Sequence, residues 1–442
     1  MTGSLAIAII VYLLLTLAVG FYSSKKVKHT QDFTLAGRSL PAWVVGVTIF
    51  ATWFGPELIM GVPTLFIQEG IQGVIVDQFG NALCLILVGA FYARRMYVLK
   101  ITTINDFFRL RYGKSLEMLT TIVNILTYFS WIAAQFLALA LLFQLLLGMP
   151  LALGIALSAG FVLTYTYVGG MWAVSITDVF QSVVIVIGLL VLAMTVLSDA
   201  GGLTYVLHNT PKGFYRLFPE GGGFYDWADH ISKWIYVGLG AIAAQEVYQR
   251  VLSAKGAKAG AQGAYISAGL LFFIGALPLV IGLASSQLYP ELMQVNDGQS
   301  IIPEMVNTHM GIPLKILFFG ALISAILSTS SGALLAPATI IGENLIRPAK
   351  KEITDAQLLR YTRLSVVVVA IISAVWAFLN TSIHELVVNS IIPMLVCIVV
   401  PFTLGLYWKK TSVVAVWWGI ITSASVWALC SIFETRIDAA LV

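Results

Sequence analysis

The chain has 442 residues, of which 59% are hydrophobic and only 10% are charged, with a formal net charge of +4. A soluble domain carries roughly 25% charged residues, so this composition excludes a soluble globular protein. The apolar runs are long and lack the apolar–polar alternation of barrel strands, which predicts an all-α integral membrane protein.

Hydropathy predicts twelve membrane spans along the chain. The first segment has neither a basic leader region nor a small-residue cleavage site, so it is expected to remain as a span. The predicted bounds, in chain order, are 4–23, 42–66, 71–93, 118–146, 150–169, 173–198, 231–252, 261–286, 313–345, 362–380, 386–408 and 412–433.

The basic residues predict the orientation of these spans. With the N-terminus outside, most of the 25 lysines and arginines fall in loops on the inner face, as the positive-inside rule requires. We therefore expect a multi-pass protein of the plasma membrane or cell inner membrane with its N-terminus outside. This topology accounts for the net positive charge, so the charge gives no reason to expect nucleic-acid binding.

The second span is interrupted in its middle by a Gly-Pro pair and an acidic residue. Gly55 and Pro56 release backbone carbonyls from the helical hydrogen-bond ladder, and Glu57 places a charge near mid-depth. Irregular backbone is tolerated at membrane depth where it is buried in protein or lines a cavity, and an ionisable side chain there indicates function. The segment predicts a transport pathway.

Five motifs occur in order at positions that fit these spans. On these motifs the chain resembles the sodium/solute symporter family, in particular its branch with the high-affinity choline transporters and more distantly the proline and sialic acid symporters. The motifs are Leu35-Ala36-Gly37-Arg38-Ser39-Leu40, Ala51-Thr52-Trp53, Tyr167-Val168-Gly169-Gly170 with Thr177-Asp178-Val179-Phe180-Gln181, Tyr248-Gln249-Arg250-Val251-Leu252, and Ser324-Ala325-Ile326-Leu327-Ser328-Thr329.

The resemblance implies a leucine-transporter-type fold, a 5+5 inverted repeat with an added N-terminal helix. On that pattern residues 1–442 form one transmembrane transporter domain, in which spans 2 and 7 are broken at mid-membrane. Its parts would be the added helix 4–23, repeat one 42–198, repeat two 231–408 and an extra C-terminal helix 412–433.

The resemblance also implies a sodium site. Its ligands would be the backbone carbonyls of Ala51, Phe54 and Ala325 and the hydroxyls of Ser328 and Thr329. Unwound carbonyls and hydroxyls suit a hard cation. Alternatively, these hydroxyls bond only to carbonyls four residues earlier in their own helix.

Some relatives hold a second sodium ion near an aspartate of span 6. Asp178 and Ser331 match that pattern, but Gly332 replaces a hydroxyl. Asp178 lies near the inner end of its span, so a structural or exit-path role is an equal alternative.

The resemblance also predicts a substrate pocket. Trp53 and Trp131 match two walls of an aromatic cage for a quaternary ammonium, whereas the third expected tryptophan is Ala244. That departure argues against choline itself. Glu57 and Glu246 add carboxylates, which bind an ammonium with N–H donors. The pattern therefore favours a small protonated amine or an amino-acid-like zwitterion.

A zwitterion's carboxylate would meet the half-helix N-terminus near Gly55. Gln135, one turn after Trp131, and Gln245, in the break of span 7, are further candidate substrate contacts.

Other interpretations of the pocket residues remain open. The two tryptophans also suit helix packing, and Glu246 is spaced to pair with Arg250 at i,i+4. Glu57 is alternatively a proton carrier, since burial favours the neutral form of a carboxyl group.

The function predicted overall is a sodium-coupled secondary active symporter that imports a small organic solute by alternating access. No nucleophile–base arrangement is apparent, so an enzyme is not expected. A proton-coupled carrier and a transporter-like ligand sensor are the alternatives, and a channel is disfavoured because no filter motif is visible. The expected partners are the solute, the sodium ion and the lipid bilayer. The oligomeric state is open, with a monomer among the options.

Overall fold

Helices make up nearly all of the described chain. The computed structural model describes residues 3–294, 301–350, 352–380 and 383–432. Within these ranges the only extended pairing is an isolated parallel bridge between Leu40 and Ala254. The α-helices are α1 (Gly3–Ser24), α2 (Thr30–Leu35), α3 (Ala42–Trp53), α4 (Pro56–Met60), α5 (Val62–Glu69), α6 (Gly80–Leu87), α7 (Ala93–Val98), α8 (Ile104–Tyr112), α9 (Lys114–Leu147), α10 (Leu151–Asp199), α11 (Leu203–His208), α12 (Phe224–Gly238), α13 (Gln245–Ser253), α14 (Ala257–Leu288), α15 (Ile301–His309), α16 (Ile312–Ile340), α17 (Arg347–Ala349), α18 (Asp355–Leu379), α19 (Ile383–Met394), α20 (Val400–Tyr407) and α21 (Val413–Ile432).

Short 3-10 and π segments continue several spans between these helices. Such segments mark irregular turns within a helix. The 3-10 segments are Ala36–Arg38, Gly70–Val74, Gly240–Ala243 and Pro290–Gln294, and the π segments are Ile75–Phe79, Val88–Tyr92, Ile341–Ile346 and Leu395–Val399.

The helices follow the predicted spans in order, and the chain is a multi-pass membrane protein. Among the described residues, nine helical stretches are long and apolar enough to cross a membrane. One of them, Pro56–Val98, joins the second half of span 2 to span 3, and another, Leu151–Asp199, contains spans 5 and 6. Span 7 is absent from the nine because its break leaves two short helices. The predicted extra helix 412–433 is α21, and residue 433 lies outside the described ranges.

The first break falls at the Gly-Pro pair. The helix α3 stops at Phe54, which has φ −86° and ψ 68°. Gly55 is extended, and Pro56 begins α4 at a position where its missing N–H costs no hydrogen bond. Carbonyls in the last turn of a helix have no partner within that helix. The break therefore leaves backbone oxygens near Ala51 and Phe54 open to other partners.

The second break lies in span 7 and faces the first. A 3-10 turn follows α12, Ala244 is extended with φ −69° and ψ 118°, and α13 begins at Gln245. A hydrogen bond between Trp53 and Glu246 joins the ends of the two breaks. Each half-helix after a break carries a glutamate at its second residue, Glu57 in α4 and Glu246 in α13. The helix dipole favours an acidic residue there.

A single glycine joins spans 5 and 6. Gly170 has φ 50° and ψ −141°, which turns the chain inside α10 without a loop. A Cβ at this position would lie 2.5 Å from the Phe33 carbonyl oxygen. Both the backbone conformation and the close contact require glycine.

Replacing Gly170 with alanine is therefore expected to lower the melting temperature of the detergent-solubilised protein. The strained backbone costs on the order of 1–3 kcal/mol, and the displaced Phe33 adds to it. Gly160→Ala is the matched control, because it lies on the same helix and a Cβ there meets nothing within 4 Å. Equal melting temperatures for the two variants would contradict this account of the junction.

Candidate functional site

A cavity of about 90 Å³ lies between the two breaks. It contains five of the predicted substrate contacts, together with side chains from spans 3, 4, 7 and 11. No lysine or arginine is among its lining residues in the described chain. The lining is formed by Trp53, Glu57, Asp77, Asn81, Thr127, Tyr128, Trp131, Val237, Ala241, Ala244, Glu246, Val387, Ser390, Ile391 and Met394.

Glu246 is held at the cavity wall by two neutral donors. The Trp53 indole N–H donates to its Oε1 at 2.8 Å, and the Tyr128 hydroxyl donates to its Oε2. The suggested i,i+4 pair with Arg250 does not form, because the Arg250 Nη1 donates to the backbone carbonyl of Glu246 at 3.1 Å. The carboxylate therefore faces the cavity without a charged partner among its hydrogen bonds.

The Glu57 carboxylate folds back over the start of its own half-helix. A Cβ on Gly55 would lie 2.6 Å from Glu57 Oε1. The carboxylate thus covers the N-terminal end of α4, the position where the sequence predicted a substrate carboxylate near Gly55. The Glu57 carboxylate of the protein itself therefore occupies the position expected for the carboxylate of a zwitterionic substrate. The Oε2 atom of Glu57 is buried and has no hydrogen-bond partner in the described residues.

Three of the predicted substrate contacts, Gly55, Gln135 and Gln245, lie outside the cavity lining. The side-chain oxygen of Gln245 accepts a hydrogen bond from the Ile104 N–H at 2.8 Å, which ties the start of α13 to α8. The side chain of Gln135 is fully buried beside Glu57. Its amide nitrogen and oxygen both lack hydrogen-bond partners in the described part of the chain.

Tyr128 and Asp77 are cavity residues that the sequence did not single out for substrate binding. Tyr128 precedes Trp131 by three residues on α9, so the helical period already placed it on the same face. Asp77 lies in a π turn of span 3, and its charge acts on Glu57. An acidic residue inside an apolar span was the available signal for Asp77.

Of the predicted sodium ligands, Thr329 of α16 and Ala51 at the first break are brought together. All five residues are fully buried, and Thr329 Oγ1 lies 3.5 Å from the Ala51 carbonyl oxygen. A strong O–H···O bond is about 2.5–3.0 Å long, so these two oxygens face each other at a longer separation. A hydroxyl and a carbonyl oxygen that face each other at an open backbone turn are ligands that suit a hard cation.

Ser328 and Asp178 interact directly. The Ser328 hydroxyl donates to Asp178 Oδ1 at 2.6 Å, and its oxygen keeps lone pairs for a cation. Ser331 donates instead to the Ser328 carbonyl at 3.0 Å. Asp178 and Ser331, the two candidate ligands for a second sodium ion, therefore have no hydrogen bond to each other among the described contacts.

A buried arginine occupies the other side of Asp178. Arg250 Nη2 lies 3.3 Å from Asp178 Oδ2, with side chains that are 1% and 0% exposed. Its Nε donates to the Thr48 carbonyl at 3.0 Å. A Cβ on Gly332 would lie 2.6 Å from Arg250 Nη2. Gly332, which replaces a hydroxyl residue of the second-sodium pattern, therefore leaves the space that the Arg250 guanidinium occupies.

Comparison with known proteins supports the resemblance. The model of the sodium:solute symporter family matches residues 33–423. High-affinity choline transporter 1 of Caenorhabditis elegans is 27% identical over 436 residues, covering 89% of this chain and 73% of the relative. Osmoregulated proline transporter OpuE of Bacillus subtilis is 26% identical and covers 97% and 88%. A Na⁺-coupled sialic acid symporter, solved in a substrate-bound outward-open state, superposes with a TM-score of 0.87 at 22% identity, over 99% and 95% of the two chains.

Proposed function

The chain belongs to the sodium:solute symporter family, and we propose that it imports a small protonated amine together with sodium. Its fold is of the leucine-transporter type, and it is a sodium-coupled transporter, not an enzyme. We propose the amine substrate and the residues that bind it. We also propose that the N-terminus lies outside and that the protein resides in the plasma or inner membrane.

The composition of the cavity wall is the observation that supports an amine substrate. Glu57 and Glu246 face a space that also contains the aromatic side chains of Trp53 and Trp131, and within the described part of the chain no basic residue lines it. Carboxylates and aromatic faces both attract an ammonium group. An amino-acid-like substrate is less favoured, because Glu57 covers the half-helix end that would hold its carboxylate.

The proposed sodium ligands are the carbonyls of Ala51, Phe54 and Ala325 and the hydroxyls of Ser328 and Thr329. This arrangement connects the break of span 2 to α16. Filling it would hold two parts of the fold together and favour substrate binding next to the same break. The ion and the amine would then move inward together by alternating access.

We further propose that one sodium ion is coupled to each substrate. Asp178, the charged ligand in the second-sodium pattern, is paired with Arg250. A cation next to this guanidinium would be repelled, and the arginine already neutralises the carboxylate.

A thermal-stability screen combined with proteoliposome uptake tests the proposal. Amines, amino acids, sugars and short organic acids are each added to purified protein in sodium or potassium chloride. We expect sodium-dependent stabilisation by amines, and uptake driven by an inward sodium gradient. Uptake that persists without sodium under a pH gradient would indicate the proton-coupled alternative, and binding without uptake would indicate a sensor.

Glu246→Gln is expected to weaken amine binding by roughly 10-fold or more. Losing a hydrogen bond to a charged group costs about 1.5–3 kcal/mol, and each 1.4 kcal/mol is about a factor of ten. The measurement is the amine concentration that gives half-maximal thermal stabilisation in sodium chloride.

Glu69→Gln is the matched control for this substitution. Glu69 ends α5, its side chain is 49% exposed, and it contacts Lys233 rather than the cavity. We expect its amine affinity to equal that of the wild type. Amine binding that is unchanged in Glu246→Gln would remove this carboxylate from the proposed site.

A further inference from the structure

We propose that Gln245 is a positioning residue that couples the substrate cavity to α8, and that α8 closes the pathway between the cavity and the basic loops. In the orientation proposed above, these loops lie on the inner face. The role requires only sodium-coupled transport, so it is independent of the proposed amine substrate.

Gln245 and Glu246 are adjacent at the start of α13 and contact different parts of the structure. Glu246 lines the cavity and accepts hydrogen bonds from Trp53 and Tyr128. The Gln245 side chain is fully buried outside the lining, and its oxygen accepts from the Ile104 N–H of α8 at 2.8 Å. Because both residues belong to the first turn of one helix, a shift of that turn on substrate binding would move both side chains. The two contacts thus form a continuous link from the cavity to α8.

The Gln245 oxygen completes the N-terminal cap of α8. The first N–H groups of a helix have no partner within that helix, and Ile104 is the first residue of α8. The Thr103 hydroxyl accepts from the Asp106 N–H, and the Asp106 carboxylate accepts from the Thr102 and Thr103 N–H groups. An apolar side chain in place of Gln245 would leave the buried Ile104 N–H unpaired, which disfavours this position of α8.

A second set of polar contacts holds α8 against the end of span 9. Asn344, in the π segment that follows α16, donates to Asp106 Oδ1 at 3.1 Å and to Glu117 Oε1 at 2.9 Å. Its side-chain oxygen accepts from the Thr103 hydroxyl at 2.7 Å. Arg109 lies 3.1 Å from Asp106 and 3.4 Å from Glu117. The helix α8 is therefore attached to span 9 as well as to the break of span 7.

The same helix contributes two rings to an aromatic cluster around Phe402. Tyr92, Phe107, Phe108 and Tyr248 each have a ring centroid within 6.5 Å of the Phe402 ring, and all five side chains are at most 6% exposed. Tyr92, Tyr248 and Phe402 belong to spans 3, 7 and 11, which also line the cavity. In each span the aromatic residue lies between the cavity residues and a basic loop. The Phe402 cluster therefore closes the way from the cavity to the basic loops, and α8 holds it in place.

Cys84 is a native reporter between the cavity and the Phe402 cluster. It is fully buried and follows the cavity residue Asn81 by three positions on α6. Its thiol lies close enough to Glu246 and Tyr248 for electrostatic interaction. Opening of the cluster would expose this thiol to a water-soluble reagent.

The test measures the labelling of Cys84 by N-ethylmaleimide in purified full-length protein, in sodium chloride and without added substrate. Cys397 and Cys430, the other two cysteines of the chain, are first replaced with alanine. Gln245→Met keeps the length of the side chain and removes the acceptor for Ile104. We expect it to raise the labelling rate at least roughly 10-fold, the change that a lost hydrogen bond to a buried donor produces.

Gln249→Met is the matched control. Gln249 lies one turn later on the same helix and is 1% exposed, but it donates to the Thr34 carbonyl and the Thr339 hydroxyl rather than contacting α8. We expect its melting temperature to fall while Cys84 is labelled at the wild-type rate. Equal acceleration in both variants would mean that any loss of packing around α13 exposes the cysteine, and would overturn the role of Gln245.

Proteoliposomes test the coupling itself. With an inward gradient of radioactive sodium and no organic solute, Gln245→Met should take up sodium faster than the wild type and Gln249→Met, because closure no longer depends on the cavity. Faster labelling without faster sodium uptake would place α8 off the pathway and overturn the coupling. If Gln245→Met does not fold, Asn344→Ala releases α8 from span 9 and should give both results. Wild-type labelling in a folded variant of either kind would contradict closure by α8.

Discussion

Replacing Thr329 with alanine is expected to raise the sodium concentration for half-maximal stabilisation by roughly 10-fold or more. The variant removes one oxygen ligand from the proposed ion site, and an interaction with a charged group is worth about 1.5–3 kcal/mol. Thr329 Oγ1 faces the Ala51 carbonyl across the first break. The measurement is the melting temperature of purified protein as sodium chloride replaces potassium chloride at constant ionic strength.

Ser330→Ala is the matched control for Thr329→Ala. Ser330 is the next residue on α16 and is equally buried, but its hydroxyl donates to the Ile326 carbonyl of its own helix at 2.6 Å. It should therefore respond to sodium like the wild type. If both variants respond equally, the hydroxyls of this segment serve helix packing, and the ion site lies elsewhere.

Among the substitutions proposed, we expect Arg250→Met to lower the free energy of unfolding most. Removing one partner of a buried ion pair typically costs about 3–5 kcal/mol, because the other charge stays buried and uncompensated. The substitution leaves Asp178 in that state and also removes the donors to Thr48 and to the Glu246 carbonyl. A clear fall in melting temperature in detergent is the expected result.

Two comparisons isolate the ion pair from the bulk of the arginine. Adding Asp178→Asn to Arg250→Met should recover part of the loss, since no unpaired charge remains. Arg216→Gln breaks an exposed pair with Glu220, whose side chains are 49% and 73% exposed. Exposed pairs contribute about 0–1 kcal/mol, so this variant should melt close to the wild type. A double variant that melts below Arg250→Met would contradict the proposed electrostatic role.

Arg250 also affects the number of sodium ions that we expect to be coupled to each substrate. With Asp178 paired, the wild type should show a hyperbolic dependence of amine uptake on sodium concentration, as expected for one ion. A sigmoidal curve would mean that a second ion binds despite the guanidinium.

The sequence predicted the fold well because strong local signals determined it. Long apolar runs gave the spans, and Gly55 with Pro56 marked the first break, since those two residues cannot continue a helical ladder. The sequence did not predict that spans 5 and 6 join at Gly170 without a loop. A positive φ at one glycine suffices for the turn, and nothing in the hydropathy distinguishes it from a short loop.

The site was predicted in part, and the failures have a common cause. Glu57 and Glu246 were recognised because charged residues are rare within spans. The ion pair between Arg250 and Asp178 was not predicted, because these residues are 72 apart in the chain and meet only through helix packing. Gln245 was placed at the substrate by its position in the break, but its side chain turns toward α8 to satisfy the Ile104 N–H.

The glycine junction of spans 5 and 6 also has a consequence for membrane insertion. A straight helix of 49 residues would be about 74 Å long, more than twice the roughly 30 Å hydrocarbon core. The turn at Gly170 resolves this mismatch, but it leaves no linker between the two spans. We therefore expect the two spans to insert as one helical hairpin, and a reporter or epitope tag placed at Gly170 to disrupt it.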